Sequence, residues 1–301
     1  MLAELVPSPM VRLFARPYVA GGSMAAAIDT AATVQEERAL LTTLDLLGED
    51  VTSAEQVAAN EQVYGDLLAA IAAEPRLAGA ARPTVSVKPS AFCPDGDQRA
   101  AFVPIRRLAE RARSLGVGLT VDMEDHRWTD VTLDEAVRLF RDGFDVGTVL
   151  QTRLNRTQAD VPRIPAGMRL RLVIGIYPEP AEIATTDKRE MKERLLTAAT
   201  ELLAQGAYVE LGTHDDEYVE RFVRDIAPAA PDRCEIQMLL GVPRAELHRK
   251  ILGGELGPAL PVRLYVPFAV SWKDATAYLR RRMAESPSIV WLVLRNLVRR
   301  G

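Results

Sequence analysis

The sequence predicts an α/β fold, a (β/α)8 TIM-like barrel. Eight short apolar, β-branched runs recur along its 301 residues, and helical patterns fill most of the intervals. No GxGxxG follows any run, although the rival open doubly wound sheet would normally announce a nucleotide with one.

Residues 1–38 precede the first run and read as an N-terminal helical arm, and 39–301 read as the barrel domain. The first run is 39–46, "ALLTTLDL"; Ser53 with Gln56 three residues on then has capping-box spacing and opens a helix. The second is 84–88, "TVSVK", followed by "IRRLAERARSLG", which puts Ile105, Leu108, Ala109 and Ala112 on one face and stops at Gly116. After the third, 118–122 "GLTVD", Thr132 and Glu135 have the spacing of another capping box. The fourth, 147–151 "GTVLQ", leads into a short proline-bearing link in which any helix is brief or distorted. The fifth, 170–175 "LRLVIG", precedes a helix ending at Gly206, and "EYVERFVRDI" follows the sixth, 207–212 "AYVELG". After the seventh, 234–239 "CEIQML", Pro243 suits a first helical turn and Gly253 its end; the eighth is 261–266, "PVRLYV". No linker divides the chain and no internal repeat stands out.

Composition narrows the partners. A net charge of −4 does not recommend nucleic acid. Cys93 and Cys234 form no CxxC and read as two reduced thiols of a cytoplasmic protein. The N-terminus has prolines and arginines within its apolar stretch, which makes a poor signal peptide, and no run of about 18 apolar residues could span a membrane.

In such barrels chemistry collects at the C-terminal ends of the strands. Those ends deliver Glu49, Lys88, Asp122 with Glu124, Gln151, Tyr177, Thr213, His214, Asp215, Gln237 and Tyr265. Strand ends are wet, so any one of these could simply be solvated; the ensemble is harder to dismiss. Three chemistries could use this rim. Lys88 could form a Schiff base if desolvation lowered its pKa. His214, Asp122 and Asp215 could hold a metal, but no second nearby histidine supports it, and the reading is no metal. The third is a cofactor held by scattered polar contacts, with cations for an anionic substrate. His126 and His248 read as surface residues.

The segment after the last run bears on the third chemistry. "DATAYLRRRMAESP" sets Arg280, Arg281 and Arg282 on a helix with Tyr278 and Glu285. Adjacent arginines form either a solvated basic face or, if the helix lies across the barrel mouth, a pair of forks for a carboxylate. "PSIVWLVLRNLVRR" reads as a helix docked on the barrel or as a peripheral membrane contact on the inner face of the membrane.

Taken in order, "RPYVAGGSMAAAIDTA", "LDLLGE", "VSVK", "VDMEDH", "GTVLQ", "RLVIGIYPEP", "THDDEYVERF", "EIQMLLGV", "LYVPF" and "YLRRRMAESP" make the chain resemble the FAD-dependent proline dehydrogenases in their monofunctional bacterial form. The resemblance covers most of the chain. It implies a distorted (β/α)8 barrel that binds FAD without a Rossmann motif. It also implies hydride transfer from the ring carbon beside the nitrogen of proline, or a close cyclic amino acid analogue, to flavin N5. The expected product is a Δ1-pyrroline-5-carboxylate-type imine, with a quinone as electron acceptor. By the same resemblance Arg281 and Arg282 clamp the substrate carboxylate with help from Lys88, and Asp122 orients Lys88 or its neighbours. Leu239, Tyr265 and Tyr278 wall the ring, and Glu285 ties down the arginine helix. Asp122, Met123, Gln151, Arg171, Val173, Gly175, Ile176, Tyr177, Thr213, His214, Asp215 and Gln237 fall at the cofactor, with Arg171 and Gln151 as donors to the flavin ring.

The chain departs from the family pattern on the flavin side. Ile174-Gly175-Ile176-Tyr177 stands where Lys-Gly-Ala-Tyr is usual, and Gln151-Thr152-Arg153 where Gln-Ala-Tyr is usual. Pro89 replaces an aliphatic residue, and the stretch from Trp272 to the arginines is long. The departures imply altered flavin tuning, a modified substrate, or a barrel that binds a carboxylate after losing its flavin.

Overall fold

The computed structural model describes residues 18–48 and 51–270. Eight parallel strands close in sequence order, with β1 (Leu41–Leu46) paired to β8 (Val262–Phe268). Between them run β2 (Thr84–Val87), β3 (Leu119–Val121), β4 (Val146–Gln151), β5 (Arg169–Val173), β6 (Tyr208–Gly212) and β7 (Cys234–Leu239). Each strand falls within two residues of its expected place. The first begins late because Ala39 adopts φ 53 and caps the preceding helix, its N–H donating to Gln35 O at 2.9 Å.

That helix, α1 (Met24–Arg38), packs on β1 and β8. It buries Ala27, Ile28, Ala31, Ala32 and Val34, mostly small side chains that let it lie close to the sheet. The helix thus covers the outside of the β1–β8 seam. The remaining α-helices among the described residues are α2 (Ala54–Ala73), α3 (Phe102–Leu115), α4 (Thr129–Arg141), α5 (Thr157–Asp160), α6 (Lys188–Ala204), α7 (Asp216–Arg221) and α8 (Ala245–Leu252). Ser53 caps α2 as its spacing implies, accepting from Gln56 N at 3.3 Å. Gly116 ends α3 in the left-handed region. The β4–β5 link holds a four-residue helix and a single 3-10 turn, Val161–Arg163.

Three expectations fail. Pro243 stands outside α8, one residue before its N-cap, Arg244. Thr132 caps nothing: α4 starts three residues earlier, and Thr132 lies buried inside it. His248 is not on the surface but 4% exposed, because the apolar face of α8 turns inward. Its Nδ1 faces Arg38 Nη2 at 3.0 Å, tying α8 to α1, and its Nε2 faces Met238 Sδ at 3.2 Å. Both cysteines are free thiols, and burial pushes Cys234 up to about 12. Among the described residues no helix is long and apolar enough to cross a membrane.

The register explains how the chain folds around a polar axis. Residues paired across parallel strands share a face, so Thr43, Thr84, Tyr265, Arg263, Gln237, Glu235, Glu210 and Arg171 all point inward. The alternate residues, among them Leu44, Val85, Leu119, Leu172, Val209, Ile236 and Leu264, are buried against the helices and supply the apolar core. Barrel interiors are usually filled by branched apolar side chains. This one carries Asp45, Asp122, Glu210 and Glu235 against Lys88, Arg169, Arg171 and Arg263. Four charges of each sign balance, and without that pairing their desolvation would oppose folding.

Candidate active site

The interior ion pairs rise in tiers towards the C-terminal rim. Lowest, Arg263 grips Glu235 with two bonds, Nε to Oε1 at 2.6 Å and Nη2 to Oε2 at 3.0 Å. Glu235 Oε1 also accepts from Gln237 Nε2 at 2.7 Å, which fixes the amide so that Gln237 Oε1 faces upward and accepts from Arg171 Nε at 2.5 Å. Arg169 pairs with Glu210 at 2.9 Å, and Gly147 makes room for it, since a Cβ there would stand 2.7 Å from Arg169 O.

At the rim Arg171 Nη1 donates to Asp122 Oδ1 at 2.6 Å, and Ser86 Oγ donates to the same oxygen at 3.1 Å. Tyr265 OH donates to Asp122 Oδ2 at 2.6 Å and receives Lys88 Nζ at 3.1 Å. Lys88 Nζ also rests against Asp45 and stands 3.4 Å from Asp122. Burial pushes the Asp122 carboxyl up, but Arg171, Lys88, Tyr265 and Ser86 outweigh it and hold it below the ordinary range. Burial, with Asp122 and Asp45 nearby, drives the Tyr265 phenol well above its usual value, so it stays protonated and donates. Lys88 lies between two carboxylates, an arrangement that favours an ammonium and opposes the free amine a Schiff base requires.

The expected rim residues thus separate. Lys88, Asp122, Arg171, Gln237 and Tyr265 form one bonded cluster. Of "VDMEDH" only Asp122 joins it. Glu124 accepts from Ser90 N and Oγ at 2.8 and 2.6 Å, Asp125 accepts from Arg127 N at 3.0 Å, and Met123 is buried. His126 is half-exposed and receives Glu179, whose fully covered carboxylate meets ring Nδ1 at 2.6 Å and backbone N–H at 3.0 Å. That contact, with Arg153 Nη1 on Tyr177 O, fastens the loop after β5 to the loops after β3 and β4.

Around the cluster stand Gln151, Val173, Gly175, Ile176, Tyr177, Thr213, His214 and Leu239. Gln151 spends one amide N–H on Glu124 O at 2.7 Å, so its side chain is partly committed rather than a free donor. His214 Nε2 accepts from Leu239 N at 2.8 Å, and burial followed by Arg244 lowers its pKa to about 4, leaving it neutral. Asp215 is drawn to Lys192 on α6. Leu239 and Ile176 are 47% and 64% exposed, an apolar lip beside the charged cluster. Glu49, Tyr278, Arg281, Arg282 and Glu285 lie outside the described residues. Asp45, Ser86, Glu179, Glu210, Glu235 and Arg263 were not anticipated as part of this arrangement.

A closed parallel barrel with a desolvated acid–lysine–tyrosine–arginine cluster at its C-terminal rim is a (β/α)8-barrel enzyme in form. The proline dehydrogenase family model matches residues 27–290. The Deinococcus radiodurans proline dehydrogenase is 29% identical over 293 residues, covering 95% of this chain and 90% of that protein. Proline dehydrogenase 1 of Bacillus subtilis strain 168 is 30% identical over 294 residues, covering 96% and 92%. The chain belongs to the proline dehydrogenase family and is an oxidoreductase. Its fold is shared with proline utilization A (PutA) from Bdellovibrio bacteriovorus, solved after inactivation by N-propargylglycine, at a TM-score of 0.73 and 21% identity over 90% of this chain. A Bradyrhizobium japonicum PutA mutant, D779W, gives 0.73 and 22% over 89%. The chain spans about a third of the length of those PutA chains, 32% and 30%.

Proposed function

We propose that the chain oxidises L-proline, or a close cyclic amino acid analogue, with FAD as its cofactor. The single observation that carries this reading is the desolvated Lys88–Tyr265–Asp122–Arg171 cluster at the rim of a barrel of this family. When bound, FAD would supply the hydride acceptor at N5, taking the hydride from the ring carbon beside nitrogen and leaving a Δ1-pyrroline-5-carboxylate-type imine.

The residues present fit such a group. A flavin ring needs apolar surface against its face and donors at its edge. Ile176, Val173 and Leu239 offer the first; Arg171 and Gln151 offer the second, with Gln237 Oε1 holding Arg171 in place from below. Arg171 Nη2 reaches Ser86 at 3.4 Å, the long limit of a hydrogen bond, and so retains donor capacity. Gly175, at φ 92, presents bare backbone where a Cβ would stand 2.8 Å from Gln151 Oε1. Thr213 and His214 complete the cofactor side.

Tyr265 and Leu239 border the substrate ring, and the family resemblance adds Tyr278 to them. Arg281 and Arg282 hold the substrate carboxylate, assisted by Lys88, and Glu285 steadies them. Asp122, kept ionised, anchors Arg171 and Tyr265 so that they need not reorganise during the reaction. A quinone or other electron acceptor is the second partner, and a peripheral membrane contact through the C-terminal segment of a cytoplasmic protein belongs to the same reading.

The test is the visible spectrum of the purified protein before and after anaerobic addition of L-proline. A yellow protein that bleaches is the expected result. A yellow protein that bleaches only with another cyclic amino acid moves the substrate. A protein that stays colourless after incubation with FAD overturns the reading.

A further inference from the structure

Asp45 occupies the site without an assigned task. It lies on β1, between the strands that carry Tyr265 and lead to Lys88, level with Ser86 of β2 and Pro267 of β8. Its side chain is 1% exposed and rests against Lys88 Nζ. A carboxylate buried that deeply must be paired, because desolvation without a partner would neutralise it or unfold its surroundings.

The geometry around Asp122 shows why one carboxylate does not suffice. Its Oδ1 already accepts from Arg171 and Ser86, and its Oδ2 accepts from Tyr265 at 2.6 Å. Lys88 stands 3.4 Å from that second oxygen, beyond a good charge-assisted bond. Without Asp45, Coulomb attraction would draw Nζ onto Oδ2 in competition with the phenol. We propose that Asp45 is the positioning residue of this site: its buried carboxylate on β1 holds the Lys88 ammonium at the rim and leaves Asp122 to Arg171 and Tyr265. Asp45 with Asp122 and Lys88 with Arg171 then form a charge-balanced floor onto which a substrate carboxylate adds a negative charge that the Lys88 ammonium can help meet. Asp45 acts through Lys88. Its carboxylate is 1% exposed and in contact with the Lys88 ammonium.

The inference rests on the function proposed above, and the test separates the two. Wild type, Asp45→Asn, Lys88→Met and the double variant are compared as full chains supplied with FAD. Wild-type turnover of L-proline decides the functional reading. Given turnover, Asp45→Asn should raise the proline KM by about tenfold or more and move the alkaline limb of kcat/KM to lower pH, because Lys88 loses a carboxylate in direct contact with its Nζ. In the Lys88→Met background the same substitution should change KM by less than about twofold, since residues acting as one unit are not additive. Multiplying effects in the double variant, or a lowered melting temperature with KM and pH profile unchanged, would overturn the proposal. If wild type does not turn over proline, or Asp45→Asn does not fold, melting temperatures decide. A double variant that melts no lower than Lys88→Met supports the coupling, and one that melts lower still overturns it.

Discussion

Glu235→Gln tests whether the buried charges low in the barrel are a matched set. Arg263 has a side chain only 10% exposed, and it donates twice to Glu235 and once to Thr42 O at 2.9 Å. The substitution keeps the shape of Glu235 and an acceptor for Gln237, but it removes the charge and one of the two acceptors facing Arg263. Breaking a buried pair from one side costs about 3–5 kcal/mol, most of it the uncompensated partner. The surviving carbonyl oxygen places this substitution near the lower end, about 3 kcal/mol, or a melting-temperature fall of roughly 6–12 °C for a domain of this size. Urea denaturation should show the same loss as a lower midpoint with an unchanged slope. The decisive comparison is Glu235→Met with Arg263→Met. Removing both charges should recover the stability to within about 1–2 kcal/mol of wild type, because nothing charged is left unpaired. A double variant as unstable as the single would refute the reasoning and place the cost in packing or in the bonds to Gln237 and Tyr208.

Three further outcomes are expected. Gly175→Ala forces a side chain into φ 92 with its Cβ 2.9 Å from Arg153 Cδ, and should cost about 1–3 kcal/mol and lower the FAD retained on purification; unchanged stability and flavin content would show that the loop relaxes freely. His214 and His248 are held near a pKa of about 4, chiefly by burial and then by Arg244 and Arg38 respectively, so the folded state binds fewer protons than the unfolded one. Their contribution is therefore complete above the unfolded value of about 6.5 and is lost as pH falls towards about 4; melting temperature should drop across that window, and less steeply in His248→Asn, whereas equal slopes would sink the idea. Ile174→Lys adds a cation in the loop after β5 and should tighten FAD binding or raise its potential; absorbance titration and potentiometry that both match wild type would separate this position from the flavin.

Much of the fold was legible because it is written in local chemistry. Apolar runs of strand length, Ser53 as a cap and Gly116 and Gly206 as stops each act over a few residues, and each lies where its pattern implies. Thr132 misled because a capping-box spacing is equally compatible with a helix interior; the chain turns helical earlier, in the 3-10 turn His126–Trp128 that Asp125 caps and that runs straight into α4. His248 misled because charged neighbours in sequence are not neighbours in space; α8 turns them outward and the imidazole inward. The polar axis was written in the sequence yet easily overlooked. "RLRLV", "YVELG" and "CEIQML" alternate charged or polar with apolar residues at period two, a pattern that assigns Arg169, Arg171, Glu210, Glu235 and Gln237 to one face of the sheet.

The sequence by itself determined the strand–helix alternation, the family resemblance and the polar groups at strand ends, since each depends on residue type and short spacing. Tertiary structure decided the partners. Asp45 and Lys88 are 43 positions apart and Tyr265 and Asp122 are 143 apart, and no spacing rule links such pairs. They meet because closing the barrel pairs β1 with β8 and brings distant strands to a common axis. There, desolvation makes pairing compulsory, and whichever opposite charge lies within reach becomes the partner.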